Sequence, residues 1–272
     1  MKLIALGDNV VDIYEDRSMM YPGGNALNVA VMARRNGAEQ AAYLGVAGDD
    51  EASEYVLACC REEGLDISRV RRAYGPCGWA AVRLTPGGDR VFVGTNRDER
   101  VQSLLTVRLT EADLKYIASF DVAHTSVNGD MDHELPRLGV PVSYDFSTRN
   151  KWDERLLERV CPHVTYAFFS GSEMEEAEIG ALADRVHGYG VRVVCVTRGE
   201  REAICSCGGR VYRQKPLPVR VVDTMGAGDS FIAGFLVALI DGGDVARALE
   251  QAARSAAVTC GHYGSFGRGK PL

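Results

Sequence analysis

The segment Val221–Phe235, VVDTMGAGDSFIAGF, places three small residues and one acid between two apolar runs. The first run predicts a strand that ends near Asp223, and the second predicts a helix that begins near Ala227. The backbone N–H groups of Gly226, Ala227 and Gly228 would then point outward from a helix N-terminus. The helix dipole stabilises an anion such as phosphate at that position.

Asp229 follows these small residues, although a carboxylate close to a phosphate is repelled by it. A general base that takes a proton from an attacking hydroxyl accounts for an acid at this position. The alternative is a carboxylate that only interacts with the helix dipole. The segment is not a P-loop, because GxxxxGK[ST] is absent, nor GxGxxG, because Phe231 replaces the third glycine. It therefore favours phosphoryl transfer by a different motif.

The composition is that of an ordinary soluble globular protein. The 272 residues are 46% hydrophobic and 25% charged, and the formal net charge is −6. Without a long basic run, this charge argues against nucleic acid or an anionic membrane as a partner. The N-terminus lacks signal-peptide features and no run approaches the roughly 20 apolar residues of a membrane span, so we expect a cytoplasmic protein. The eight cysteines form no CxxC pair, which favours structural, reduced thiols.

Strand-like and helix-like runs alternate along most of the chain, which predicts an α/β fold with parallel strands and crossover helices. The stretch WAAVRLTPGGDRVFVG interrupts this alternation, because its β-rich arms flank a turn at Pro86–Asp89. VVDIYE near the N-terminus also resembles a short strand. We predict one domain over residues 1–272, with a small β appendage from about 10–16 and 75–100.

A second polar cluster follows the first predicted strand. In YPGGNALNVAV, Gly24 precedes a predicted helix, and Asn28 lies one turn after Asn25, so that both amides face the same side. The alternative is an ordinary turn with Asn25 as the helix cap. Asp8 and Asp12 lie where the first strand ends, at the edge where α/β sheets bind ligands. Carboxylates and amides together suit a polyhydroxylated molecule such as a sugar.

The motifs GGNALNVAV, YLGVAGDD and DTMGAGDSFIAGF together resemble the ribokinase-like carbohydrate kinases, the phosphofructokinase B-type family. This resemblance covers essentially the whole chain and implies a three-layer α/β/α core with a mostly parallel sheet and a small β lid. It implies an enzyme that transfers phosphate from ATP, with Mg²⁺, to a primary hydroxyl of a sugar-like substrate. The implied residues are Asp229 as base, Gly226, Ala227 and Gly228 as anion hole, and Asp8, Asp12, Gly24 and Asn28 as sugar ligands.

The same resemblance implies a nucleotide side. Thr197 and Gly199 would line the ATP site, and Glu173 would position magnesium through water. The family's Asn-x-x-Glu motif has lost its asparagine, since Ser170 stands there, and the alternative for Glu173 is a carboxylate in the first turn of a helix. Asp223 matches a position that often helps hold a monovalent cation, so the resemblance adds K⁺ as a further cofactor.

Within the family, GDNVVDIY, SYDFSTRNKWD and GHYGSFG resemble the fructoselysine 6-kinases, which implies fructoselysine or a related fructosamine phosphorylated at O6. Five residues of the middle segment suit either contact with an amino-acid moiety or a helix cap and surface: Asp145, Arg149, Lys151, Trp152 and Asp153. The open alternatives are a kinase for another sugar or a nucleoside (fructose, ribose, adenosine) and a non-catalytic sugar sensor. Edge strands in the lid suggest a homodimer through it.

Overall fold

The computed structural model describes residues 1–85 and 90–272, so the predicted turn at Pro86–Asp89 lies outside the described residues. The larger sheet has nine strands. They are β1 Lys2–Gly7, β4 Gln40–Ala47, β5 Arg71–Arg72, β8 Val122–Ser126, β9 Val142–Thr148, β10 Tyr166–Ser170, β11 Val193–Arg198, β12 Arg201–Cys207 and β13 Arg210–Gln214. Their order is β13-β12-β11-β10-β9-β8-β1-β4-β5, and only the β11–β12 and β12–β13 pairs are antiparallel.

The smaller sheet has five strands: β2 Val10–Tyr14, β3 Met19–Gly23, β6 Gly78–Leu84, β7 Arg90–Thr95 and β14 Lys270–Pro271. They lie in the order β14-β3-β2-β6-β7, and only β2 and β6 pair in parallel. The sequence did not predict β3 or β14. MMYPG contains a proline and a glycine, which are typical of a turn, and β14 has only two residues.

Eight α-helices surround the larger sheet in the described residues: α1 Asn25–Arg35, α2 Glu51–Glu62, α3 Val101–Leu104, α4 Glu111–Ile117, α5 Glu154–Val160, α6 Glu176–Gly188, α7 Ala227–Ile240 and α8 Val245–Thr259. Thr110 and Asp113 form the capping box expected at the start of α4. Among the described helices, none combines the length and the apolar character needed to cross a bilayer.

Strand residues alternate between two cores, which makes the fold three-layered. Leu3 and Ala5 of β1 pack with helices α1, α2, α7 and α8. Ile4 and Leu6, the intervening residues, pack on the other side with α3 and α4, and further along the same face β9 to β11 pack on α5 and α6. Both faces of the parallel strands are therefore buried, as a doubly covered sheet requires. The predicted α/β/α class is confirmed.

The predicted strand before the glycine loop is wrong. Residues 215–224 adopt no regular secondary structure, and Val221 is 42% exposed. The Val222 N–H instead donates to the Cys260 carbonyl at the end of α8 (2.8 Å). The apolar run therefore crosses the surface beside α8, and it does not extend the sheet.

Candidate functional site

Helix α7 begins at a glycine loop whose shape depends on a close contact. Gly226 is the N-cap and has φ 74°, a left-handed conformation that favours glycine. A Cβ on Gly226 would lie 2.7 Å from Ser265 Cα, whereas a Cβ on Gly228 would meet no heavy atom within 4 Å. The first N–H groups of a helix lack intrahelical partners. Gly226 is buried and the Ala227 N–H donates to the Thr224 carbonyl (3.2 Å), so the helix N-terminus is exposed at Gly228, with open space above it.

Asp229, in the first turn of α7, lies against the start of α1. Its two carboxylate oxygens accept hydrogen bonds from Asn25 Nδ2 and Asn28 Nδ2, each at 2.7 Å. Asn28 Nδ2 also donates to Ser265 Oγ (2.9 Å). The structure therefore brings together two motifs that lie 201 positions apart in the sequence.

Asn28 leaves one polar atom without a partner. Its side chain is only 3% exposed, and its Oδ1 accepts no hydrogen bond from the described residues. A buried acceptor without a donor costs about 1–3 kcal/mol. Because the other end of this amide contacts Asp229, a ligand hydroxyl that donated to Oδ1 would lie beside the Asp229 carboxylate.

A buried histidine fixes the orientation of Asn25. His124 of β8 is fully buried, and burial lowers its pKa to about 3, so the ring is neutral. Its Nε2 lies 3.0 Å from Asn25 Oδ1 and its Nδ1 lies 2.9 Å from Ser143 Oγ. Since an amide oxygen only accepts, Nε2 carries the proton and Nδ1 accepts from Ser143. This chain directs the Asn25 NH₂ group towards the carboxylates.

A second carboxylate shares that NH₂ group. Asp145, in the middle of β9, accepts from Asn25 Nδ2 at 2.8 Å and from the Ser147 N–H at 2.8 Å. Burial and then the nearby negative charge of Asp229 raise the pKa of Asp145 from 3.8 to about 7. Two acids within reach of one amide cannot both ionise without cost, so Asp145 holds a proton in mildly acidic solution.

This shift predicts a pH-dependent stability difference for Asp145→Asn. Between about pH 4 and pH 7 the folded protein holds a proton on Asp145 that the unfolded chain has released, so wild-type stability falls as pH rises through this window. Asparagine cannot ionise. We expect the stability of the variant relative to wild type to increase by on the order of 2 kcal/mol between about pH 5 and about pH 8. Urea unfolding at both pH values measures it, and a difference that does not change with pH contradicts it.

The early glycines pack against the segment that carries the carboxylates predicted to bind sugar. A Cβ on Gly23 would overlap Asp12 Oδ2 at 2.2 Å, and one on Gly24 would lie 2.8 Å from the Asp8 carbonyl oxygen. Gly24, with φ 108°, is the N-cap of α1, so Asn25 is not the cap. Asp8 accepts the first N–H groups of α1, from Asn25 (2.9 Å) and Ala26 (3.0 Å). Asp8 therefore anchors the helix that carries both asparagines.

Asp223 joins the glycine loop to the smaller sheet. Its carboxylate is fully buried and accepts from the Tyr14 hydroxyl (2.5 Å), the Gly264 N–H (2.9 Å) and the Met225 N–H (2.9 Å). Burial and then this contact raise the pKa of Tyr14, which keeps the phenol protonated as the donor. Strand β2 and the loop before α7 are thus held together by one carboxylate.

The residues predicted for the nucleotide side follow β10 and β11. The Thr197 hydroxyl donates to the Phe169 carbonyl (3.3 Å), and Gly199 has φ 62° with open space around its Cα. Glu173 is exposed in the turn after β10. The alternative of a first-turn carboxylate is wrong, because α6 begins at Glu176 with Glu175 as its cap. Strand β9 lies next to β10 and carries Asp145, which shares the Asn25 amide with Asp229. Because neighbouring strands lie roughly 5 Å apart, the predicted nucleotide residues after β10 and β11 lie only a few strand spacings from Asp229.

The segment after Asp145 forms a cap and packed surface. Asp153 caps α5, and Trp152 is 8% exposed and packs edge-on against Phe169. Arg149 stacks on Trp152 with 4.2 Å from its guanidinium carbon to the ring centroid, and it also donates to the Trp152 carbonyl. The structure thus shows a cap at Asp153 and packing at Trp152 and Arg149, and Asp145 contacts Asn25 of the site. Contact of this segment with an amino-acid moiety stays a prediction.

Sequence reasoning missed His124, Ser265 and Tyr14. Each belongs to a segment without a distinctive motif, and each forms a hydrogen bond with another residue of the site: His124 with Asn25, Ser265 with Asn28 and Tyr14 with Asp223. The segments GDNVVDIY, which ends at Tyr14, and GHYGSFG, which contains Ser265, were noted only for their patterns and their resemblance to a family, and neither residue was singled out.

Comparison with known proteins places this arrangement in a family. The model of the pfkB family carbohydrate kinases matches residues 1–267. The chain is 51% identical to fructosamine kinase FrlD of Bacillus subtilis (strain 168) over 273 residues, 100% of this chain and 95% of the relative. It is 36% identical to fructoselysine 6-kinase of Escherichia coli (strain K12) over 270 residues, 98% of this chain and 100% of the relative.

Solved structures show the same fold. A putative ribokinase II from E. coli superposes with a TM-score of 0.82 at 20% identity, covering 97% of this chain and 94% of that chain. The same protein in complex with ATP and Mg²⁺ superposes with a TM-score of 0.80. The family model over residues 1–267 and the relatives at 51% and 36% identity show that the chain is a carbohydrate kinase and belongs to the pfkB family.

Proposed function

We propose that this carbohydrate kinase transfers the γ-phosphoryl group of ATP to O6 of a fructosamine, with fructoselysine as the first candidate. The observation that carries the proposal is the position of Asp229, between the two asparagine amides of α1 and the exposed N-terminus of its own helix. The names of the relatives at 51% and 36% identity supply the substrate class.

The chain's own residues suffice to bind and activate a sugar hydroxyl. Asn28 Oδ1 accepts one substrate hydroxyl, Asp12 and Asp8 supply carboxylate oxygens, and Gly24 lets the backbone at the start of α1 pack closely on Asp8 and Asn9, which keeps these groups together. Asp229 removes the proton from the primary hydroxyl as that oxygen attacks. The N–H groups of the loop at Gly226–Gly228 then stabilise the charge on the phosphoryl group.

We propose that ATP lies across the carboxyl ends of β10 and β11, beside Thr197 and Gly199. A phosphate would occupy the open space above Gly228, where a Cβ would meet no heavy atom within 4 Å. Any side chain at this position would take up that space. Magnesium bound to the phosphates neutralises part of their charge. No group of three His, Cys, Asp or Glu among the described residues forms a metal cage, which fits an ion held by phosphates and water, with Glu173 positioning one water.

Potassium activation and a cytoplasmic location are further parts of the proposal. Asp223 fixes the loop before α7 and the turn at Gly264 together. A monovalent cation bound beside this carboxylate would stiffen the loop that holds the anion hole. Cytoplasmic location follows from the need for ATP. No role for nucleic acid or a membrane is proposed, since the net charge is −6.

We propose that the smaller sheet is a lid over the sugar and that it forms a homodimer contact. Closing a lid excludes water, which would otherwise hydrolyse ATP. At the edge of this sheet, β7 carries Val91, Phe92 and Val93, which are 51%, 59% and 44% exposed. Such an apolar edge strand favours pairing with a second copy. A single monomeric mass by light scattering at all concentrations contradicts the dimer.

A substrate panel tests the proposed function. We expect kcat/KM for fructoselysine to exceed that for fructose, ribose and adenosine by at least about 100-fold, because a site that pairs substrate polar groups discriminates strongly against analogues without them. ADP release with each acceptor, at fixed ATP and Mg²⁺, measures it. A higher value for fructose, ribose or adenosine assigns a different kinase, and sugar binding without ADP release assigns a sensor.

A further inference from the structure

A second cleft opens at the same end of the larger sheet. It has a volume of about 690 Å³ and lies between the segment that follows β7 and the segment that follows β8. Its apolar lining comes from Leu105, Val127 and Pro136, and its charged lining includes Arg97, Asp98 and Asp130. A lining that combines apolar and charged side chains suits a flexible aliphatic chain that carries a charged terminus.

The cleft adjoins the sugar site through one backbone contact. The Val127 N–H donates to the carbonyl of Asp145 (2.9 Å), whose carboxylate shares the Asn25 amide with Asp229. A substrate held at Asp229 would therefore lie next to Asp145, and Val127 at the edge of the cleft lies on the far side of Asp145.

The charges of the cleft divide into paired and unpaired groups. Arg159 and Asp132 form a salt bridge (3.1 Å), and the second oxygen of Asp132 accepts from the Tyr144 hydroxyl.

Arg97 is exposed and forms no salt bridge with any carboxylate in residues 1–85 and 90–272. Asp130 has φ 54°, in the left-handed region that aspartate adopts more readily than most non-glycine residues. Its carboxylate, 47% exposed, has only the distant Arg100 (3.8 Å) as a salt-bridge partner.

We propose that this cleft binds the amino-acid part of the substrate, with Arg97 pairing with the α-carboxylate and Asp130 with the α-ammonium group. The inference rests on the proposed fructosamine kinase function and deepens it. The methylene chain of lysine would lie along Leu105, Val127 and Pro136. The secondary amine that joins it to the sugar would lie beside Asp145, where a carboxylate faces a cation. The cleft would thus distinguish glycated amino acids from simple sugars.

The test compares two substrates that differ in one group. Fructoselysine carries the α-carboxylate, and the fructose adduct of cadaverine lacks it. We expect wild type to prefer fructoselysine in kcat/KM by roughly tenfold, the size typical of a charge-assisted hydrogen bond. In Arg97→Gln the preference should fall to near one. Arg192→Gln is the matched control, because Arg192 lines a different cleft at Tyr166 and Val193, and it should keep the preference.

Each outcome decides a different claim. Turnover of both adducts without a preference in wild type, or a preference that survives Arg97→Gln, overturns the assignment of the cleft while leaving a fructosamine kinase. A preference lost equally in Arg192→Gln also overturns it. Absence of turnover with every fructosamine, while fructose or ribose is phosphorylated, refutes the proposed function and the cleft assignment together. Unfolding curves of both variants verify that these exposed arginines do not support the fold.

Discussion

Asp229→Asn should lower kcat by about 10²–10⁴-fold, the contribution typical of a positioned general base. Asparagine keeps the size of the side chain, and its oxygen can still accept from one of the two amides that now contact Asp229. It cannot take a proton from a hydroxyl. KM for the sugar should change much less than kcat, since the hydroxyl is still bound by the other residues. Sugar-dependent ADP release under saturating ATP measures both constants.

The control for this variant is Asp184→Asn. Asp184 is exposed on α6, so the same change of charge occurs away from the site. Its kcat should equal that of wild type. Near-wild-type turnover in Asp229→Asn would remove Asp229 from its role as base. A loss of kcat accompanied by an equal loss of folded protein would show a structural role only, and thermal unfolding separates these cases.

The site was predictable from sequence where chemistry and motif coincide. Asp229 was recognisable because a carboxylate beside a phosphate-binding loop repels the phosphate, and a catalytic role explains why an acid is nevertheless present. Asn28 was recognisable because it lies one turn after Asn25, so that the two amides share a helix face. Topology then brings them together, since both helices begin at the carboxyl edge of one sheet. No pattern in either segment specifies the 2.7 Å contact between them.

The remaining contacts depend on tertiary packing that leaves no local pattern. His124 lies in an apolar strand, DVAHTS, and a buried histidine in such a strand is indistinguishable in sequence from one satisfied by the core. Tyr14 is an ordinary strand residue in the sequence, and only the structure shows that its hydroxyl donates to Asp223. The predicted strand before Asp223 failed for the same reason, because its valines match a strand while its N–H groups bond to the end of α8.

Gly226→Ala and Gly228→Ala should separate the shape of the loop from its use. At Gly226, alanine meets an unfavourable positive φ and overlaps the Ser265 backbone. We expect a loss of about 1–3 kcal/mol in the free energy of unfolding. Ser265 Oγ also accepts from Asn28, so its displacement moves a residue that holds Asp229. A misplacement on the order of 1 Å costs roughly 100-fold in rate, and we expect kcat to fall accordingly.

At Gly228 the opposite pattern should appear. An added Cβ meets no protein atom within 4 Å, and alanine favours a helix over glycine by roughly 0.5–1 kcal/mol, so the variant should be as stable as wild type or slightly more so. The same Cβ would occupy the open space in which we propose that a phosphate lies, so kcat/KM for ATP should fall by at least about tenfold. Full activity of Gly228→Ala would place the phosphate elsewhere, and an unchanged unfolding midpoint for Gly226→Ala would contradict the contact with Ser265. Because one variant changes stability and the other changes nucleotide use, the pair tests the loop as a phosphate cradle independently of the proton acceptor beside it.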